Sequence, residues 1–192
     1  MAMVSENTVY SALDFTAGKI RGIGDVPLTA STPCTEWNLG QVLNHMINAL
    51  DLMGRGLAGE GIDRASLDPE ATAATPISGA PEAAFAAAAA RARTVFADPG
   101  IWDRELTGAF SGDCARDVAG VVVGDVTAHG WDIARATGQD ETVPEPLVDE
   151  AYAFARGFLR PELRGALFGP EVQLGPDATK TRQLMAFLGR QP

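Results

Sequence analysis

At 192 residues, with 46% hydrophobic and 21% charged residues, the chain has the size and composition of one well-packed globular domain. Its formal net charge of −10 and pI near 4.6 argue against a nucleic-acid partner, which calls for a basic stripe, and against attachment to an anionic membrane surface. No run approaches the roughly 18 apolar residues needed to span a bilayer. The start, Met1-Ala2-Met3-Val4-Ser5-Glu6, lacks the basic and apolar regions of a secretory signal, so the expected location is cytoplasmic.

Residues Ser5 to Arg21 read as a first helix, with Val9, Leu13, Phe15, Ala17 and Ile20 forming a loose apolar stripe. Gly22 to Trp37, with Pro27, Pro33 and a Ser/Thr cluster, reads as loop. A second helix starts at Asn38, where Asn38 and Gln41 have the spacing of a capping box. Its stripe runs Leu39, Val42, Leu43, Met46, Ile47, Leu50 and Met53, and Gly54, Gly56, Gly59 and Gly61 are expected to end it. Ile62 to Ala80, rich in Asp, Ser, Thr and Pro, reads as a long surface loop. A third helix is expected from Pro81 to Ala97: Pro81 suits the first helical position, and the run Ala83 to Ala90 has high helix propensity. Trp102 to Phe110 reads as extended or irregular. A fourth, long helix spans Cys114 to Thr137. Its β-branched Val121, Val122 and Val123 could suit a strand, but Val126, His129, Ile133 and Ala136 continue the helical spacing. A fifth helix runs from Pro146 to Leu159. Phe168 to Val172 is a turn with an extended piece, and Ala178 to Gly189 a short terminal helix docked through Leu184, Phe187 and Leu188. There is no internal repeat and no linker that divides the chain. These elements describe a mainly α fold.

The chemistry concentrates on the two histidines of the chain, His45 and His129, each midway along an apolar helical segment. Asp125 precedes His129 by four residues, so both lie on one helix face. With His45 from another helix they make a two-histidine, one-carboxylate set with coordination positions left open. Imidazole and carboxylate suit Zn, Ni, Fe or Mn, and such a cation would lower the pKa of a water or a thiol bound to it. Cys34 could be a nucleophile, a fourth ligand or a buried structural thiol. Cys34 and Cys114 are the only cysteines; they could pair, but sparse cysteine without an export signal favours free thiols. Trp37 and Trp131 could wall a cofactor cavity or simply fill core. Asp132 could orient a ligand histidine or pair with Arg135 or Arg104. The chain has no Walker loop, no Gly-x-Gly-x-x-Gly, no Gly-x-Ser-x-Gly and no Cys-x-x-Cys.

Three segments carry a resemblance. Thr32-Pro33-Cys34-Thr35-Glu36-Trp37 with Leu43-Asn44-His45, the run Gly124 to Gly138, and the tail Phe168-Gly169-Pro170-Glu171-Val172 with Phe187-Leu188-Gly189-Arg190 together resemble an actinobacterial metal-binding group of the DinB-like superfamily. That group is related to the N-terminal domain of mycothiol-dependent maleylpyruvate isomerase. The resemblance spans nearly the whole chain, 1–192, as one domain. It implies an all-α, up-down-down-up four-helix bundle with short extra C-terminal elements, and a metal on His45, Asp125 and His129. It also implies thiol-linked chemistry, for which mycothiol is the expected cosubstrate, and Trp37 and Trp131 are expected to shape the cavity mouth. Two features depart from the isomerase: it carries a further C-terminal domain, and the carboxylate expected there is glutamate, not Asp125. The expected activity is metal-dependent thiol S-transfer to an electrophilic substrate, by a monomer or homodimer. A metal-hydroxide hydrolase and a non-catalytic metal-stabilised binding module are the alternatives.

Overall fold

The computed structural model describes residues 4–165 and 167–192. Among these the chain forms seven α-helices: α1 (Glu6–Arg21), α2 (Leu39–Leu57), α3 (Pro69–Ala74), α4 (Pro81–Phe96), α5 (Ala115–Ala136), α6 (Glu145–Phe158) and α7 (Lys180–Phe187). No β-strand occurs among the described residues; isolated bridges join Ser31 to Asn38, Glu105 to Cys114 and Arg164 to Phe168. No described helix is long and apolar enough to cross a membrane.

α1, α2, α4 and α5 make the bundle, and α1 and α2 each pack against both α4 and α5. Helix directions follow from named contacts. The Thr16 hydroxyl of α1 donates to the Val126 carbonyl of α5 at 2.8 Å, and Gln139, just past α5, donates to the Lys19 carbonyl at 2.9 Å. α1 and α5 therefore run parallel. Gly56, near the end of α2, packs on Phe110, just before α5, so α2 opposes α5. Tyr10 of α1 donates to the Arg93 carbonyl of α4, and Arg21 shares a groove with Glu82, so α4 opposes α1. The order is up-down-down-up.

The caps read from sequence are present: Asn38 accepts from the Gln41 amide, the Gln41 side chain returns to the Asn38 amide, and Pro81 opens α4. The valines at 121–123 stay inside α5, because Val122 and Val123 face the core that Val126 and Ile133 extend at helical spacing. The stretch expected as loop at 62–80 instead holds a 3₁₀ turn (Arg64–Leu67) and α3. Six residues are too few to show a helical stripe, but Asp68 caps the Ala71 amide and Pro69 takes the first helical position. α2 also continues through Gly54 and Gly56. These are packing glycines: a Cβ would meet the Arg91 side chain at 3.2 Å at Gly54, and the Phe110 ring at 2.4 Å at Gly56. Trp102 to Phe110 is irregular, holding parts of two 3₁₀ turns. α6 lies on α5 with Phe154 seated on Gly120, and α7 packs on α6, with Lys180 bridging Glu145 and Asp149.

Candidate metal centre

α2 and α5 face each other, and the residues they present are His45, from α2, and Asp125 and His129, from α5. Asp125 Oδ1 lies 3.2 Å from His45 Nε2 and 3.5 Å from His129 Nε2. The three donor atoms fall within 4.8 Å of one another. Both histidines are buried, and Asp125, with 19% of its side chain exposed, is the least buried of the three.

For neutral rings, the hydrogen bonds behind the imidazoles select which nitrogen carries the proton. His45 Nδ1 lies 2.7 Å from Thr72 Oγ1. The single proton of that hydroxyl is directed at the carbonyls of Asp68 and Pro69, 3.0 and 2.9 Å away. Thr72 therefore accepts, His45 Nδ1–H donates, and the Nε2 lone pair is left facing Asp125. His129 Nδ1 lies 3.0 Å from Asp132 Oδ2. Asp132 is fully buried; burial alone would raise its carboxyl, but the Arg190 charge and the His129 hydrogen bond hold it below the usual range. An ionised carboxylate only accepts, so His129 Nδ1–H donates, and its Nε2 lone pair also faces Asp125. In these neutral tautomers two nitrogen lone pairs and a carboxylate oxygen converge with no donor among them, whereas a protonated ring donates Nε2–H to Asp125. Asp125 Oδ2 is buried and without a partner as well. Burial pushes the Asp125 carboxyl up, and the positive charge of protonated imidazoles beside it, with an Nε2–H of His45 on its oxygen, pulls it down when no cation is bound. Converging acceptors of this kind fit a divalent cation, with each imidazole oriented from behind as ligating histidines are.

The loop before α2 covers the site. The Thr32 hydroxyl donates to the carbonyls of Cys34 and Trp37, at 3.0 and 2.8 Å, and pulls the segment 32–37 into a tight turn. Trp37 then lies 4.5 Å from the His45 ring and 5.9 Å from the His129 ring, with its Nε1–H buried and unpartnered. Trp131 is two residues beyond His129, roughly 200° around the helix, and it is not brought to the ligands. It is buried under the Arg135 guanidinium, 5.4 Å from its ring.

Both cysteines are free. Cys34 Sγ is within 4.8 Å of donor atoms of His129 and Asp132, and burial pushes its thiol up to about 11. The partners considered for Asp132 are engaged elsewhere, Arg135 with Glu141 and Arg104 with Asp98. Its cation is Arg190, which sequence reasoning did not assign; the only signal was the place of Arg190 at the end of the tail motif.

Residues 10–134 match the family of the mycothiol maleylpyruvate isomerase N-terminal domain. That span takes in all three residues of the converging set. The chain is also similar to two uncharacterized proteins of Mycobacterium tuberculosis, one from strain CDC 1551 / Oshkosh and one from strain H37Rv. Each is 30% identical over 181 residues, covering 93% of this chain and 93% of the relative. No solved structure matches the chain. On the match across 10–134, the chain belongs to the mycothiol maleylpyruvate isomerase N-terminal domain family, one of the DinB-like families.

Proposed function

We propose that this protein holds one divalent metal ion on His45, Asp125 and His129 and uses it for S-transfer from a small-molecule thiol, mycothiol, to an electrophilic substrate. The observation that carries the reading is the convergence of two imidazole lone pairs and one carboxylate oxygen, each imidazole donating its other N–H to an acceptor behind it. Two neutral nitrogens and one anionic oxygen suit zinc first, with nickel, iron and manganese compatible. A cation held there supplies one thing: it stabilises the thiolate of a bound thiol, giving a nucleophilic sulfur near neutral pH.

The residues of the chain do the rest. Thr72 and Asp132 fix the two ring orientations. Asp125 contributes the one negative charge of the set and is the least buried of the three. Trp37 covers both imidazoles, excludes water from that flank and offers an unpaired Nε1–H to the incoming molecule. Trp131 acts from behind, packing the helix that carries two of the ligands. This chemistry draws on an intracellular thiol pool, which agrees with a cytoplasmic protein.

The test is metal analysis of protein prepared without chelator, followed by thiol titration of a cobalt-substituted form. About one divalent ion per chain is expected, lost in His45→Ala and His129→Ala. Mycothiol added near neutral pH should produce a sulfur-to-cobalt charge-transfer band in the near ultraviolet and release a proton. Full metal occupancy in both variants would overturn the site. No band at saturating mycothiol, with ester hydrolysis independent of thiol, would turn the assignment to a hydrolase.

A further inference from the structure

Arg190 is buried, 9% exposed, and turned into the molecule. Its Nε–H donates to Asp132 Oδ1 at 3.2 Å and an Nη2–H to Asp132 Oδ2 at 2.9 Å, a two-pronged hold across 58 residues of sequence. The same Oδ2 accepts the Nδ1–H of His129. The chain reaches this point by a crossing of two glycines. Gly189 follows α7 in the left-handed region, φ +88°, and a Cβ on it would lie 2.7 Å from the Gly169 Cα. The Arg164 guanidinium ties the crossing by donating to the carbonyls of Gly169 and Phe187, both at 3.0 Å. Both halves of the tail motif, Phe168 to Val172 and Phe187 to Arg190, thus serve to turn residue 190 inward.

We propose that Arg190 is a positioning residue of the metal centre: by engaging both oxygens of Asp132 it locks the carboxylate that orients His129. The inference rests on the metal-centre reading above. A carboxylate held at one oxygen can rotate about its Cβ–Cγ bond. Held at both, it keeps Oδ2 in line with Nδ1–H, and so keeps the Nε2 lone pair aimed at Asp125 Oδ1. Lysine carries the charge but not the fork, and cannot meet both oxygens in this geometry. A buried ion pair contributes little net stability against apolar packing, so alignment is the stronger reason for one here.

The experiment compares wild type with Arg190→Met, Arg190→Lys, Gly189→Ala, Asp132→Asn and the Asp132→Asn/Arg190→Met pair. Phe154→Ala, which loosens α6 on α5, serves as a destabilised control. Zinc affinity is measured by chelator competition. Nitrogen-15 imidazole spectra of the metal-free and zinc forms report which nitrogen of His129 holds its proton; with two histidines in the chain the assignment is direct. Arg190→Met and Gly189→Ala should bind zinc about ten- to a hundredfold more weakly and lose the defined His129 Nδ1–H signal. Arg190→Lys should recover part of the affinity, Arg190→Met should add nothing once Asp132 is Asn, and Phe154→Ala should leave affinity unchanged. The inference is overturned if Arg190→Met loses no more affinity than Phe154→Ala and keeps the His129 signal. Wild type that binds no zinc would instead overturn the metal-centre reading. In that case the metal-free spectra still decide whether Arg190 orients His129.

Discussion

Asp132 couples the centre to the acid limit of the fold. Its carboxyl is raised by burial but held below the usual range by Arg190 and His129. A carboxyl depressed in the folded state stabilises the fold above its unfolded pKa, about 3.9, and that contribution is lost as pH falls through the folded value. Melting curves recorded with a chelator should therefore show wild type well above Asp132→Asn at neutral pH. The gap should close as pH drops below about 4. A gap that stays constant through the acid range would show that Asp132 is not the group responsible. The residue scale is also where the sequence was least informative. That Asp125 and His129 share a face follows from a spacing of four, but the partner of Asp132 depends on a turn at Gly189 that no local pattern announces.

The helices of the bundle were legible because each is long enough to display its stripe and its cap, as Asn38 with Gln41 does for α2. α3 was not, since a six-residue helix shows no period, although Asp68-Pro69 marked its start. The omission matters, because α3 supplies the acceptor that orients His45. Replacing Thr72 with valine keeps the shape and leaves the buried His45 Nδ1–H without a partner, a loss of about 1–3 kcal/mol for such a group. Thr72→Val should fold and bind zinc about tenfold or more weakly, whereas Thr72→Ser should bind like wild type. Equal zinc affinity in Thr72→Val would show that the Thr72 hydroxyl does not set the His45 ring for the metal.

Across the whole molecule, the centre joins α2 to α5 through residues 80 positions apart, His45 and Asp125. A ligand that binds only the folded state adds stability by mass action, about 4 kcal/mol at a thousandfold excess over its Kd. For a chain of this length that corresponds to a rise in Tm of about 10 °C. Zinc should produce such a rise in wild type, chelator should reverse it, and the His45→Ala protein should show neither change. A metal effect that persists in His45→Ala would place the cation elsewhere. The composite origin of the site explains how much of it could be read in advance. The two histidines stood out on apolar helices, one with Asp125 four residues before it, while the groups that orient them come from a short helix and a late turn.

The raised thiol of Cys34 has a consequence for selectivity between sulfurs. With burial pushing its thiol up to about 11, Cys34 is almost wholly protonated at pH 7 in the metal-free chain. If the centre ionises a visiting thiol as proposed, it does so beside a resident thiol that burial keeps protonated in the metal-free chain. Cys114 is exposed at the start of α5. One equivalent of iodoacetamide should label Cys114 well before Cys34 in the metal-free protein, as peptide mass mapping would show. Cys34→Ser should retain both metal and thiol-dependent turnover. A variant that holds metal yet loses turnover would mean that the silent sulfur is the reactive one. Otherwise Cys114 offers a site for a fluorescent reporter, a chemical handle on the protein that leaves its centre untouched.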